Sequence, residues 1–163
     1  MDGVLMDTRR AVEEAYRAAG VPIPEGMYGI PYREWMPAIV GSVEESDRIV
    51  ETKNLLLPEM LDRYGSVLPP TRVARELLDS GAVAVVLTAA SPAATHIVLE
   101  RTGLEEIPVV LRCTPQRKLE MVRWWSVSSY IDDLDHLKED VESMGVKFIH
   151  YVGQTEEVLW RQL

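Results

Sequence analysis

The sequence is poor in the residues that build disulfide frameworks, transition-metal centres and membrane anchors. It has one cysteine, Cys113, and three histidines, His96, His136 and His150, at unrelated spacings. A lone cysteine excludes an internal disulfide and fits a reducing compartment, so a cytoplasmic location is expected. The scattered histidines offer no zinc-type ligand set. Long apolar runs are also missing. The longest near the middle, 82–87, is far too short to span a bilayer. The first residues carry neither the basic nor the apolar segment of a secretory signal, so no membrane partner is expected. Positive charge is in deficit, with Lys+Arg 17 against Asp+Glu 26 and a formal charge of −9. Without a Lys/Arg run, that balance argues against nonspecific binding to nucleic acid. Internal repeats and low-complexity segments are absent as well.

What is present is an apolar content of 47% over 163 residues, enough for one core domain with a modest insertion. The pattern divides in two. From Thr8 to about Gly20 apolar residues recur at helical spacing, in Ala11, Val12, Ala15, Tyr16 and Ala19. A Pro- and Gly-rich loop follows over 21–31. A weak helix over 32–40 is expected to be interrupted by Pro37. Ser42 and Glu45 form a capping-box pattern opening a helix over 43–54, with a separate helix over 58–64. Residues 9–65 therefore read as short helices without a strand.

After Val67 the period changes. Helices are expected over 71–80, 92–102, 115–125, 134–144 and 155–162. Strands are expected over 82–87, 107–111, 127–131 and 146–152. Strands that are apolar on both faces and alternate with helices argue for a parallel sheet covered on two sides. Ligands bind such sheets at the carboxyl ends of the strands. There the sequence places Thr88-Ala89 after the first strand and Asp132-Asp133 after the third. Lys118 lies near the start of the helix at Pro115. A hydroxyl and an ammonium suit phosphoryl oxygens. Two adjacent acids repel unless a cation lies between them, and Mg²⁺ prefers such oxygens. Taken singly, each has a plainer explanation: Thr88 as a turn residue, Lys118 as a solvated helix residue, one Asp as a helix cap. Asp135 is a candidate for that cap, leaving the pair free.

The opening residues add a further piece. Asp2-Gly3-Val4-Leu5 and Asp7-Thr8 resemble the first motif of the haloacid dehalogenase (HAD) superfamily, Asp-x-Asp-Gly-[Thr/Val]-Leu-x-Asp-[Ser/Thr], from its second Asp onward. Met1 falls on the variable position. Thr88, Lys118 and Asp132-Asp133 then follow in that superfamily's order. Leu68-Pro69-Pro70, Gly81, and the segments 129–134 and 141–151 resemble the branch with a helical cap. The resemblance covers nearly the whole chain. A receiver domain uses similar residues, but its acidic pair comes early and its phospho-acceptor precedes the Thr and Lys, which does not match.

The resemblance implies an α/β, HAD-like (Rossmann-like) core over 1–9 and 67–163. A helical cap over 10–66 would be inserted after the first motif. It implies Mg²⁺-dependent hydrolysis of a small phosphorylated metabolite through an aspartyl-phosphate. Asp2 would be the general acid/base and a metal ligand beside Asp132 and Asp133. Gly3, Thr88, Ala89 and Lys118 would bind substrate, with Thr88 and Lys118 acting in catalysis. The nucleophilic Asp would fall one residue ahead of Met1, and most of the central first strand with it. Two expectations follow. Either the natural polypeptide starts upstream, which is preferred, or this is an inactive relative that binds phosphate, Mg²⁺ or a protein partner. Tyr28, Tyr32, Trp35 and Met36 are read as packing within the cap, with substrate selection the alternative. Trp124-Trp125 is read as a helix end packed on the sheet.

Overall fold

The computed structural model describes residues 1, 3–28 and 30–163. The expectations for Asp2 lie outside the described residues. The chain divides into two units. One comprises Met1–Asp7 with Val67–Leu163, the other Thr8–Ser66.

The second unit holds three helices, α1 (Arg9–Ala18), α2 (Tyr32–Val40) and α3 (Val43–Tyr64). Ile49, Lys53, Leu57 and Leu61 are buried along α3 at intervals of four residues, so they form one stripe. Ala11, Ala15 and Tyr16 are the buried face of α1, and small alanines permit close helix approach. Ser42 caps α3, its hydroxyl accepting from the Glu45 amide at 3.0 Å. The Glu45 carboxylate turns to Arg48 instead of completing the box. Two expected interruptions do not occur. Pro37 lies inside α2 and Pro58 inside α3, and the expected pair of helices over 43–64 is one. In α3 the burial of Leu57 and Leu61 on either side of Pro58 outweighs the local loss of a helical bond. Trp35 and Met36 join Tyr16 and Ile49 in this unit's core, which supports their reading as packing residues.

The first unit alternates strands and helices. Apart from β2 (Ser66–Val67), which spans the unit boundary in sequence, it comprises β1 (Met6–Asp7), α4 (Pro69–Asp79), β3 (Val86–Leu87), α5 (Pro92–Thr102), β4 (Val109–Val110) and α6 (Pro115–Trp125). It continues through β5 (Ser129–Asp132), α7 (Lys138–Ser143), β6 (Lys147–His150) and α8 (Glu156–Gln162). Leu5 anchors the N-terminal segment here: its carbonyl accepts from the Leu68 amide at 2.9 Å and the Thr71 hydroxyl at 2.5 Å. The β3–β4 and β5–β6 pairs are both parallel, with Val86 opposite Val109 and Tyr130 opposite Phe148. Ser91 and Thr114 cap α5 and α6, each followed by a proline at the first helical position. Leu5, Val86, Leu99, Leu104 and Ile107 form one apolar cluster. Val122, Leu137, Val141, Val146 and Phe148 form another.

Several expectations need correction. The apolar run 82–87 is strand only at Val86–Leu87, and Val83 is 77% exposed. Among the described residues β3 has one strand neighbour, β4. The parallel architecture is the expected one, and among the described residues its strands form three short pairs, β1–β2, β3–β4 and β5–β6, the last two parallel. The helix expected over 134–144 begins only at Lys138, because Asp132 draws the following residues into a turn by accepting from the Leu134 amide at 3.2 Å. Asp135 therefore does not cap that helix with its side chain. Finally, Trp124 is 73% exposed and does not pack on the sheet.

Candidate active site

The carboxyl ends of β3 and β5 carry the polar residues singled out from the sequence. Strand period places Tyr130 and Asp132 on the same face of β5. The Asp132 carboxylate is 5% exposed as a residue and heavily engaged. Its Oδ2 accepts from Lys118 Nζ at 2.9 Å and from the Tyr130 hydroxyl at 2.6 Å. Its Oδ1 accepts from the Leu134 amide. Burial alone would raise its pKa. The Lys118 charge and these hydrogen bonds outweigh burial and pull it down to about 2. Tyr130 moves the other way, since burial and the neighbouring Asp132 charge hold its phenol protonated.

Asp133 is the contrasting member of the pair. Burial, followed by its hydrogen bond and repulsion with Asp132, raises its carboxyl above the usual range. Its side chain faces Gly3, where an added Cβ would collide with the carboxylate oxygen. Gly3 also has φ +73°, in the region that disfavours side chains. The close approach and the turn therefore both require glycine here. The Met1 ammonium is close enough to act on Asp133 in the opposite sense, as its least influence.

Thr88 is buried, and its hydroxyl accepts from the Ala90 amide at 3.0 Å. Its carbonyl accepts from the Cys113 amide at 2.8 Å. Cys113 is a buried thiol whose pKa is raised by burial, with the backbone bond to Thr88 and the Lys118 charge acting in the opposite sense. Ala89 is exposed beside Thr88. The structure thus pairs Lys118 with Asp132 and sets Gly3 against Asp133, with Thr88 at the end of β3 bonded through its carbonyl to the Cys113 amide. It assigns no contact with the group to Ala89. His150 makes a 3.1 Å hydrogen bond with the Asp133 backbone carbonyl. Tyr130 and Cys113 were not singled out as site residues from the sequence. Tyr130 was legible: it precedes Asp132 by two residues in a strand, the spacing that puts both on one face.

A lysine from the first turn of α6, with a buried carboxylate, a second carboxylate of raised pKa and a hydroxyl at strand ends, can hold an oxyanion and a hard cation. Among the described residues no group of three or more acidic, His or Cys side chains is placed to hold a metal ion by itself. No helix among them is long and apolar enough to cross a membrane.

Comparison with known proteins bears on this arrangement. No protein-family model matches the chain. A phosphorylated carbohydrates phosphatase from Thermotoga maritima is 28% identical over 153 residues, which is 87% of this chain and 63% of that protein. The chain thus spans about three-fifths of that relative's length. A hydrolase from Pseudomonas syringae superposes with a TM-score of 0.66 at 15% identity, covering 99% of this chain and 87% of that one. A HAD-superfamily hydrolase of subfamily IA, variant 1, from Geobacter sulfurreducens superposes with a TM-score of 0.60 at 17% identity, covering 99% and 93%. The fold is that of the HAD-type hydrolases. In this HAD-like chain the expected α/β architecture of short parallel strands flanked by helices is present, with Thr88, Asp132 and Asp133 at strand ends and Lys118 on α6.

Proposed function

We propose that this protein is a Mg²⁺-dependent phosphohydrolase of a small phosphomonoester. The observation that carries the reading is the divided acidic pair. Asp132 is held ionised by Lys118 and Tyr130, while burial and the neighbouring Asp132 raise the carboxyl of Asp133. Asp132 already accepts from Lys118, Tyr130 and the Leu134 amide and also interacts with Asp133. Asp133 is the better-placed ligand for Mg²⁺, with Asp132 and Asp2 completing the set. A bound Mg²⁺ would offset charge on the phosphoryl oxygens.

Lys118 binds and orients a phosphoryl oxygen while keeping Asp132 charged. Thr88 and the turn at Ala89 offer a hydroxyl and backbone to the same group. Gly3 brings backbone close to it. Asp2 serves as general acid to the leaving oxygen and as base to water, on the resemblance given above. The nucleophilic carboxylate is the one expected ahead of Met1. The residues 10–66 would act as a cap that selects the substrate. The name of the Thermotoga relative makes phosphorylated carbohydrates the first substrates to try.

The test is phosphate release with and without Mg²⁺, from an aryl phosphate and a panel of sugar phosphates. The chain as given is run beside a version preceded by an apolar strand ending in Asp. Turnover by the extended version, lost by about a hundredfold or more in Asp133→Asn and Lys118→Met, is the expected result. Folded protein that binds Mg²⁺ and phosphate without turnover in either version would make it a binding protein instead.

A further inference from the structure

The carboxyl end of β4 departs from the ladder that precedes it. Val86 and Thr88 donate their amides to the carbonyls of Pro108 and Val110, at 2.9 and 3.0 Å. A step of two on β3 is thus a step of two on β4, as the even spacing of a parallel ladder requires. The next bond belongs to the Thr88 carbonyl, and Arg112 is the residue in line to donate to it. Cys113 donates instead, at 2.8 Å. One extra residue has entered the β4 side, which makes a bulge, and Arg112 within it stands at φ +55°. Glycine takes this conformation freely, whereas a residue with a side chain is strained there. Bulges beside binding sites re-aim a side chain.

That side chain is held open. Arg112 is exposed, in a chain with 26 acidic residues against 17 basic ones. Other arginines lie against carboxylates, as Arg33 does with Asp47, Arg72 with Glu156 and nearby Arg117 with Glu120. Among the described residues the Arg112 guanidinium has no hydrogen bond, ion pair or ring contact. Its planar fork of donors is therefore available. It stands one residue from Cys113, whose amide holds the Thr88 end of β3, and adjacent strands lie about 4.8 Å apart. Lys118, on the helix that follows, is already engaged with Asp132. An arginine that served only solubility would need neither the bulge nor the left-handed backbone.

We propose that Arg112 is a specificity-determining residue that binds a second oxyanion of the substrate, a phosphate or a carboxylate apart from the phosphoryl group to be cleaved. The inference rests on the phosphohydrolase reading for the first group and narrows its substrates to doubly anionic phosphorylated carbohydrates. The guanidinium fork matches two oxygens of either anion.

Two matched pairs of probes isolate the second charge. Fructose 1,6-bisphosphate is set against fructose 6-phosphate, and 6-phosphogluconate against sorbitol 6-phosphate. Binding to the chain as given is measured by titration calorimetry in Mg²⁺ buffer. The doubly anionic member of at least one pair is expected to bind about tenfold or more tighter. An advantage in the first pair alone assigns a phosphate, and in the second alone a carboxylate. Arg112→Gln should remove the advantage and leave the singly anionic members unchanged. Arg112→Lys should restore only part of it, because an ammonium lacks the fork. Arg123→Gln removes another guanidinium without a partner among the described residues and should keep the advantage. No advantage in either pair, or one that survives Arg112→Gln, would overturn the proposal. Arg112→Gly separates ligand from fold: it relieves the backbone, so it should be no less stable in urea while losing the advantage. A glycine variant less stable than its parent would make Arg112 a structural residue and also overturn it. Removing Mg²⁺ should weaken all four probes. If it changes none while Arg112→Gln still removes the advantage, the phosphohydrolase reading falls and the oxyanion site at Arg112 stands.

Discussion

The two units solve the same problem differently. In residues 8–66, α1, α2 and α3 close on one another, and Tyr16, Trp35, Met36 and Ile49 disappear into one core. In the HAD-like unit, β3 is two residues long, Val83 is exposed, and two parallel strand pairs flank an apolar cavity. A helix satisfies its own backbone and needs a neighbour only for its apolar stripe. A strand needs neighbours for its backbone as well, and in a parallel sheet these come from far away in sequence. The helical unit's core cluster therefore forms among residues close in sequence, whereas the strand unit pairs segments such as Val86 and Val109 across an intervening helix.

The comparison sharpens most on a matched pair of substitutions. Lys118→Met removes the cation from a pair whose side chains are 17% and 6% exposed, leaving Asp132 buried beside Tyr130. A cost of about 3–5 kcal/mol is expected in urea unfolding. Leu61→Ala in α3 removes a fully buried side chain and should cost about 3 kcal/mol. The two differ in pH dependence. In the parent chain Asp132 has a folded pKa of about 2, below its unfolded value of about 3.9. Its contribution is present above the unfolded value and lost as pH falls through the folded one. The deficit of Lys118→Met should therefore shrink as pH falls from about 4 to about 2, while that of Leu61→Ala stays level across that range. A level deficit for both would mean that Lys118 is not what holds Asp132 ionised.

Asp133 gives a smaller effect of opposite sign. Burial and the neighbouring Asp132 raise its pKa in the folded chain. A carboxyl raised on folding favours the folded state below its unfolded pKa, and that advantage is lost as pH rises through the folded value. Asp133→Asn should therefore raise the thermal midpoint at pH 7 in the absence of divalent cation. The gain should fade as the solution is acidified. Added Mg²⁺ should stabilise the parent chain and not the variant. A variant less stable than its parent at pH 7 without metal would show that Asp133 is not under the strain assigned to it.

The sequence exposed the helices better than the strands for the same physical reason. Apolar spacing along α1, and the Ser91-Pro92 and Thr114-Pro115 starts of α5 and α6, are local signals that the structure reproduces. Pro58 misled because tertiary burial of Leu57 and Leu61 overrides a local breaker. Residues 82–87 misled because composition reports what a strand needs, not whether its neighbours are there. At the site, the order of Thr88, Lys118 and Asp132-Asp133 was legible. The division of the pair was not, since it arises from Lys118 and Tyr130 both reaching Asp132 and from Gly3 standing against Asp133.

The smallest effect tests the open strand directly. Val83 and Val86 belong to one apolar run, yet Val83 is 77% exposed and Val86 is 7% exposed beside Leu99 and Leu104. Threonine keeps the β-branched shape and adds a hydroxyl, so each substitution measures how dry its site is. Val86→Thr should cost about 1–3 kcal/mol, because the hydroxyl enters an apolar cluster. Val83→Thr should stay within about 0.5 kcal/mol, because water already reaches the side chain. Equal costs in urea unfolding would mean that 82–87 is buried along its length in solution, as composition alone suggested. In that case the contrast between the two units would disappear.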